Sequence, residues 1–139
     1  MTYFLLDPEV PGEMGPGTLL DNGSHPPKVL HLHFILTNWL GDDLVQTYPC
    51  YMVTEDLGKR LLGAGFTGMR LTPLQNEISE DFGLFCPGIP APVFLWLHIE
   101  GSPGENDLGL TDDARLVVSE RALKIMQAGQ LAHCEIQPF

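Results

Sequence analysis

The strongest constraint on how this chain folds is residues 92–101, PVFLWLHIEG. The run is almost continuously apolar and aromatic and is flanked by proline and glycine, so it reads as a strand central in a sheet. Residues 29–36, VLHLHFIL, read as a second strand. Its alternation puts Leu30, Leu32, Phe34 and Leu36 on one face and Val29, His31, His33 and Ile35 on the other.

Helices are signalled by their caps. In VTEDLGKRLLGAGFTGMRL, Thr54 is a good N-cap, and Glu55 and Asp56 place negative charge in the first turn, where the helix dipole favours it. Gly63 or Gly65 can close that helix, and a strand follows over residues 66–74. LVVSERALKIMQAGQLAHCEI predicts strand, helix and strand, with Ser119 as N-cap and Gly129 near the helix end. A short helix is expected over residues 79–85, stopped by Cys86-Pro87-Gly88, and a helical turn over residues 39–44. Residues 2–6 read as a short strand, residues 48–53 as an extended piece, and the proline- and glycine-rich residues 8–27 as a long surface loop. Such a loop is either functional or a permissive insertion.

The two helix-bearing passages echo each other. Val53-Thr54-Glu55 matches Val118-Ser119-Glu120, and Lys59 matches Lys124, at the same offset of 65 residues. Either residues 50–74 and 115–137 are an internal repeat of strand-helix units, or helix-start chemistry has converged. The expectation is one α+β domain over residues 1–139: a mainly antiparallel sheet with two or three helices packed on it.

Charge narrows the function classes. Eighteen acids face seven bases, a formal charge of −11, which repels nucleic acid and anionic lipid and favours a basic partner or plain solubility. Cys50, Cys86 and Cys134 are odd in number and widely spaced, so free thiols in a reducing compartment are expected. The N-terminal residues lack the basic region of a signal peptide, and no apolar run approaches the ~18 residues of a membrane helix. A cytoplasmic protein is expected.

A metal-dependent enzyme would start from His31 and His33, two residues apart and so on one strand face, with His98, Asp42 or Asp43 completing the ligands. No HExxH, CxxC or EF-hand loop accompanies them, and sheet histidines satisfied by hydrogen bonds are the favoured reading. Thr54 and Ser119 are better used as caps than as nucleophiles, and no nucleophile elbow or phosphate loop is present. Asp42 and Asp43 read as a turn anchored to the core by Trp39 and Leu40, presenting charge outward. Further acids gather at Glu77/Glu80/Asp81, Glu105/Asp107 and Asp112/Asp113, mostly in loops, where binding residues concentrate.

YFLLDPEVPG, SHPPKV, NWLGDDLVQTYPCYMVTEDL, RLVVSERALKIM and LAHCEI, in that order and along nearly the whole chain, resemble a family of small bacterial immunity proteins. These accompany polymorphic toxin systems, in which a cytosolic antidote neutralises a toxin domain. The resemblance implies an α+β binding protein without enzymatic activity or cofactor, whose partner is a toxin domain encoded nearby. It carries over no catalytic residue and assigns no toxin contact. On charge and loop position, the partner-binding residues expected are Trp39, Asp42, Asp43, Glu105, Asp107, Asp112 and Asp113, facing a basic toxin.

Overall fold

The computed structural model describes residues 2–139, and they form a single α+β domain in which antiparallel pairing dominates. In chain order the elements are β1 (Tyr3–Asp7), β2 (Gly12–Met14), β3 (Leu19–Asp21), β4 (Lys28–His31), β5 (His33–Leu36), β6 (Leu44–Thr47) and β7 (Cys50–Thr54). Then come α1 (Glu55–Ala64), β8 (Met69–Pro73), β9 (Gln75–Ile78), α2 (Glu80–Phe85) and β10 (Phe94–Ile99). The chain ends with β11 (Leu108–Leu110), β12 (Leu116–Ser119), α3 (Glu120–Ala128) and β13 (Glu135–Pro138).

Two four-stranded sheets carry the architecture, in the orders β6-β7-β10-β8 and β11-β12-β1-β13. Each begins with a hairpin, β6-β7 or β11-β12, whose second strand runs straight into a helix, α1 or α3. The strand after each helix, β8 or β13, returns to the far edge of the same sheet. The third strand of each sheet comes from elsewhere: β10 for the first, and β1, at the opposite end of the sequence, for the second. The two units therefore share one topology with a permuted chain order, and the likeness starts at the hairpins rather than at residues 50 and 115.

Local chemistry explains the helices. Thr54 accepts a hydrogen bond from the Leu57 N–H, Ser119 accepts one from the Ala122 N–H, and both caps have extended backbone. Gly65 ends α1 in the left-handed region at φ 68°, which glycine adopts at no steric cost. The buried face of α1 is Leu57, Gly58 and Leu61, and a Cβ on Gly58 would stand 3.1 Å from Leu95 and 3.2 Å from Leu71. That glycine lets the helix lie close on β8 and β10.

Helices α1 and α3 and both large sheets share one core, in which Leu6, Leu44, Val53, Leu57, Leu61, Leu97, Leu116, Val118 and Met126 are almost wholly enclosed. A second core, built from Leu32, Phe34, Leu36, Val45, Met52, Phe82 and Phe94, covers the other face of β7 and β10. Both faces of these strands thus meet a core, which is why β10 reads as continuously apolar and why all five residues of β7 are buried, although on β10 only Phe94 and Leu97 are fully covered.

Three local expectations need correction. Residues 29–36 are not one strand. At Leu32 the chain exchanges β3 for β2 and β9 as neighbours, so Leu30 is 58% exposed while His33 is 4% exposed. Residues 8–27 are not all loop, because β2 pairs with β5 and β3 pairs with β4; three-residue strands between prolines are too short to show a period. Residues 39–43 form no helical turn and run as irregular backbone held by side-chain bonds.

Candidate functional site

The acids that the sequence singles out fall into two groups, and the first is turned inward. Asp43 immediately precedes β6, and Asp107 immediately precedes β11. The Thr54 hydroxyl donates to Asp43 Oδ1 at 2.9 Å, and the Ser119 hydroxyl donates to Asp107 Oδ1 at 2.8 Å. The backbone repeats the pattern: the Thr54 N–H donates to the Asp43 carbonyl, and the Ser119 N–H to the Asp107 carbonyl. Each carboxylate then meets an arginine, Arg60 at 3.3 Å from Asp43 and Arg121 at 3.0 Å from Asp107. Both aspartates are clasps that lock a hairpin to the start of its own helix. The sequence does carry the signal, in Asp43-Leu44-Val45-Gln46-Thr47 and Asp107-Leu108-Gly109-Leu110-Thr111, each followed by Val-Thr-Glu or Val-Ser-Glu.

Asp107 also accepts from the Thr67 N–H at 3.1 Å and is nearly buried. Burial by itself pushes its carboxyl up, but the bonds from Arg121, Thr67 and Ser119 outweigh that and hold it below the usual carboxylate value.

Asp42 does not present charge outward either; its exposure is 0%. Its two oxygens accept the backbone N–H groups of Ala132 and His133 at 2.9 and 2.7 Å, and His133 Nδ1 lies 3.2 Å away. Glu9 closes the same knot by accepting the N–H groups of Leu40 and Asp42 at 3.1 Å each. Desolvation pushes the Glu9 carboxyl up, against those two backbone bonds. Trp39 donates from Nε1 to the Asp42 carbonyl at 2.9 Å and packs edge-on against Phe94. Turn and tryptophan together tie residues 9, 39–42 and 132–133 into one junction. Glu9, Asp42 and His133 bring ligand-type atoms within 4.8 Å of one another, but the carboxylate oxygens already receive backbone donors.

The three histidines do not converge. His33 Nε2 bonds Glu77 at 2.8 Å, and its Nδ1 accepts from the Gly17 N–H, which ties the β2–β3 segment to β9. His31 bonds Gln75 at 3.0 Å, and His98 bonds Thr72 at 2.7 Å. Each is a satisfied sheet histidine, and among the described residues none of the three belongs to a metal-ligating group.

The second group of acids is exposed. Glu105 lies between β10 and β11, and Asp112 and Asp113 lie in the β11–β12 turn, where the Thr111 hydroxyl bonds Asp113. Sequence reasoning missed the apolar partner of such acids. Around α2, Ile78, Leu84, Phe85, Ile89 and Val93 are between 50% and 77% exposed, beside exposed Glu77, Glu80 and Asp81. Only Phe82 of α2 is buried, so the helix is held by one side chain and displays the rest. The exposed positions read in the sequence as ordinary amphipathic spacing, and only the shortness of α2 leaves them uncovered.

Compared with models of known protein families, the chain matches none, and the search of curated proteins returns no relative. No helix among the described residues is long and apolar enough to cross a membrane.

Proposed function

We propose that this chain is a small immunity protein, which binds a basic toxin domain in the cytoplasm and masks it without chemistry of its own. The observation that carries the reading is the segment around α2, where Leu84, Phe85 and Ile89 stand exposed within a few residues of exposed Glu77, Glu80 and Asp81. Exposed apolar patches with a polar rim are characteristic of binding surfaces, and a monomer has little other use for them. The acidic rim steers a basic partner, and Glu105, Asp112 and Asp113 extend the field. Asp42, Asp43 and Asp107 are engaged by bonds inside the fold, so the reading rests on the exposed acids instead. The resemblance to immunity proteins supplies the kind of partner. The separation of His31, His33 and His98 leaves the metal-enzyme alternative without an assembled site.

The test is capture of a partner from source-cell lysate, with the chain as bait, washed at low and high salt. One stoichiometric basic protein that salt releases, and whose toxicity co-expression of this chain suppresses, is the expected result. Glu80→Lys with Asp81→Lys should slow its association by roughly tenfold or more at low salt. Capture and protection unaffected by that pair and by Leu84→Asp with Phe85→Asp would remove the α2 segment from the interface.

A further inference from the structure

A groove lies apart from the α2 segment, between the β3–β4 ribbon and the sheet face formed by β8 and β10. Its two lobes have volumes of about 320 and 440 Å³, and Lys28, Val29, Arg70, Trp96 and His98 line both. These volumes fall in the range of small-molecule sites, about 300–1,000 Å³. The register explains the lining: Trp96 stands opposite Thr72, and His98 opposite Arg70, so all four side chains project from one face. Further along β10 that face carries Phe94 into the second core, whose cover reaches only as far as Trp96.

The groove has the parts of a receptor. Trp96 and His98 lie ring to ring, 4.0 Å between centroids at 31°, and the 2.7 Å bond to Thr72 fixes the imidazole. The two rings are stacked on each other and both are half-buried, so a ligand ring can meet an outer face or an edge of the stack. Beside it stand two of the seven basic residues of a chain whose formal charge is −11. Arg70 is shared with Glu100 at 3.3 Å, and Lys28 forms no salt bridge among the described residues. Glu100 also lines the groove and takes part of the Arg70 charge, so Lys28 is its unpaired cation, and a cation beside stacked rings selects for a ligand with complementary parts.

We propose that this groove binds a small flat anion, an aromatic ring bearing a phosphate or a carboxylate, with the ring along Trp96 and His98 and the anionic group between Lys28 and Arg70. The site does not depend on the immunity reading, because no residue of the α2 segment lines it.

The test is a titration followed by amide and indole NMR, using adenosine monophosphate and indole-3-acetate as the two anions. Adenosine and inorganic phosphate serve as the ring-only and charge-only controls. Saturable shifts at the Trp96 indole N–H with one or both anions, and weaker binding of both controls, are expected; which anion binds names the source of the charge. Lys28→Gln with Arg70→Gln changes only exposed side chains and should weaken binding by about tenfold or more. No shift up to about 10 mM of either anion, a control that binds as tightly, or a double variant that binds unchanged would each overturn the proposal.

Discussion

The two hairpin–helix units solve one problem with the same aspartate and different arginines. In the first, Arg60 lies in the second turn of α1 and is half-buried; it bonds Asp43, Asp56 and the Ile125 carbonyl of α3. In the second, Arg121 lies in the first turn of α3, is 63% exposed at its side chain, and stacks 5.0 Å over the Phe66 ring. The aspartate is specified by strand–helix geometry: its carboxylate must meet the cap hydroxyl while its own carbonyl meets the cap N–H. The cation is specified only by charge, so its place on the helix drifted. Arg60 was then free to join the two helices, whereas Arg121 serves its own unit.

The largest effect should come from deleting the carboxylates. Asp107→Ala strands the buried Ser119 hydroxyl and the Thr67 N–H and should cost about 3 kcal/mol in urea unfolding, with Asp43→Ala costing about 2 kcal/mol. Each carboxylate also accepts one backbone N–H, from Gln130 or Thr67, so equal costs would show that the deeper burial of Asp107 adds nothing. Removing the cap hydroxyls comes next. Ser119→Ala and Thr54→Ala should each lose about 1–2 kcal/mol, and a double-mutant cycle of Ser119→Ala with Asp107→Ala should show strong coupling.

The arginines should separate the units more sharply. Arg60→Ala should lose about 1–2 kcal/mol because a part-buried carbonyl of α3 loses its donor, while Arg121→Ala, whose own side chain is largely exposed, should lose under about 1 kcal/mol. If thermal denaturation ranks them the other way, Arg60 is not the tie between helices. The smallest effect is in acid. Asp107 has its folded pKa lowered, so the stability it contributes is complete above the ordinary value of about 4 and is lost as pH falls through the lowered one. Asp107→Asn should start from a lower stability and lose less of it on acidification below about pH 4 than the parent chain does.

Local chemistry was legible in the sequence, and partner choice was not. Thr54, Ser119 and Gly65 announce helix ends because cap geometry involves residues three or four apart. The central position of β10 was legible because both its faces send apolar side chains toward a core. The break at Leu32 was hidden, because alternation records which face is apolar and says nothing of which strand lies alongside. Asp42 and Asp43 misled for a related reason. A Gly-Asp-Asp turn looks solvated until residues 130–133, which supply its backbone donors, are folded against it. The exposure of Leu84 and Phe85 was invisible because a six-residue helix with one buried contact has the same pattern as one that is fully covered.

The permuted order of the second unit bears on how the chain is made. Tyr3 pairs with Ser119, and Asp7 with Glu135, so β1 leaves the ribosome long before the two strands it pairs with. The first unit is closed by β10 and can assemble while the rest is still being synthesised, at a rate of roughly 5–20 residues per second. β1 has no partner strand in that interval, and its Phe4-Leu5-Leu6 segment is an unpaired apolar edge until β12 and β13 arrive. The passage most exposed to misassembly during synthesis is therefore one that lies between two strands afterwards.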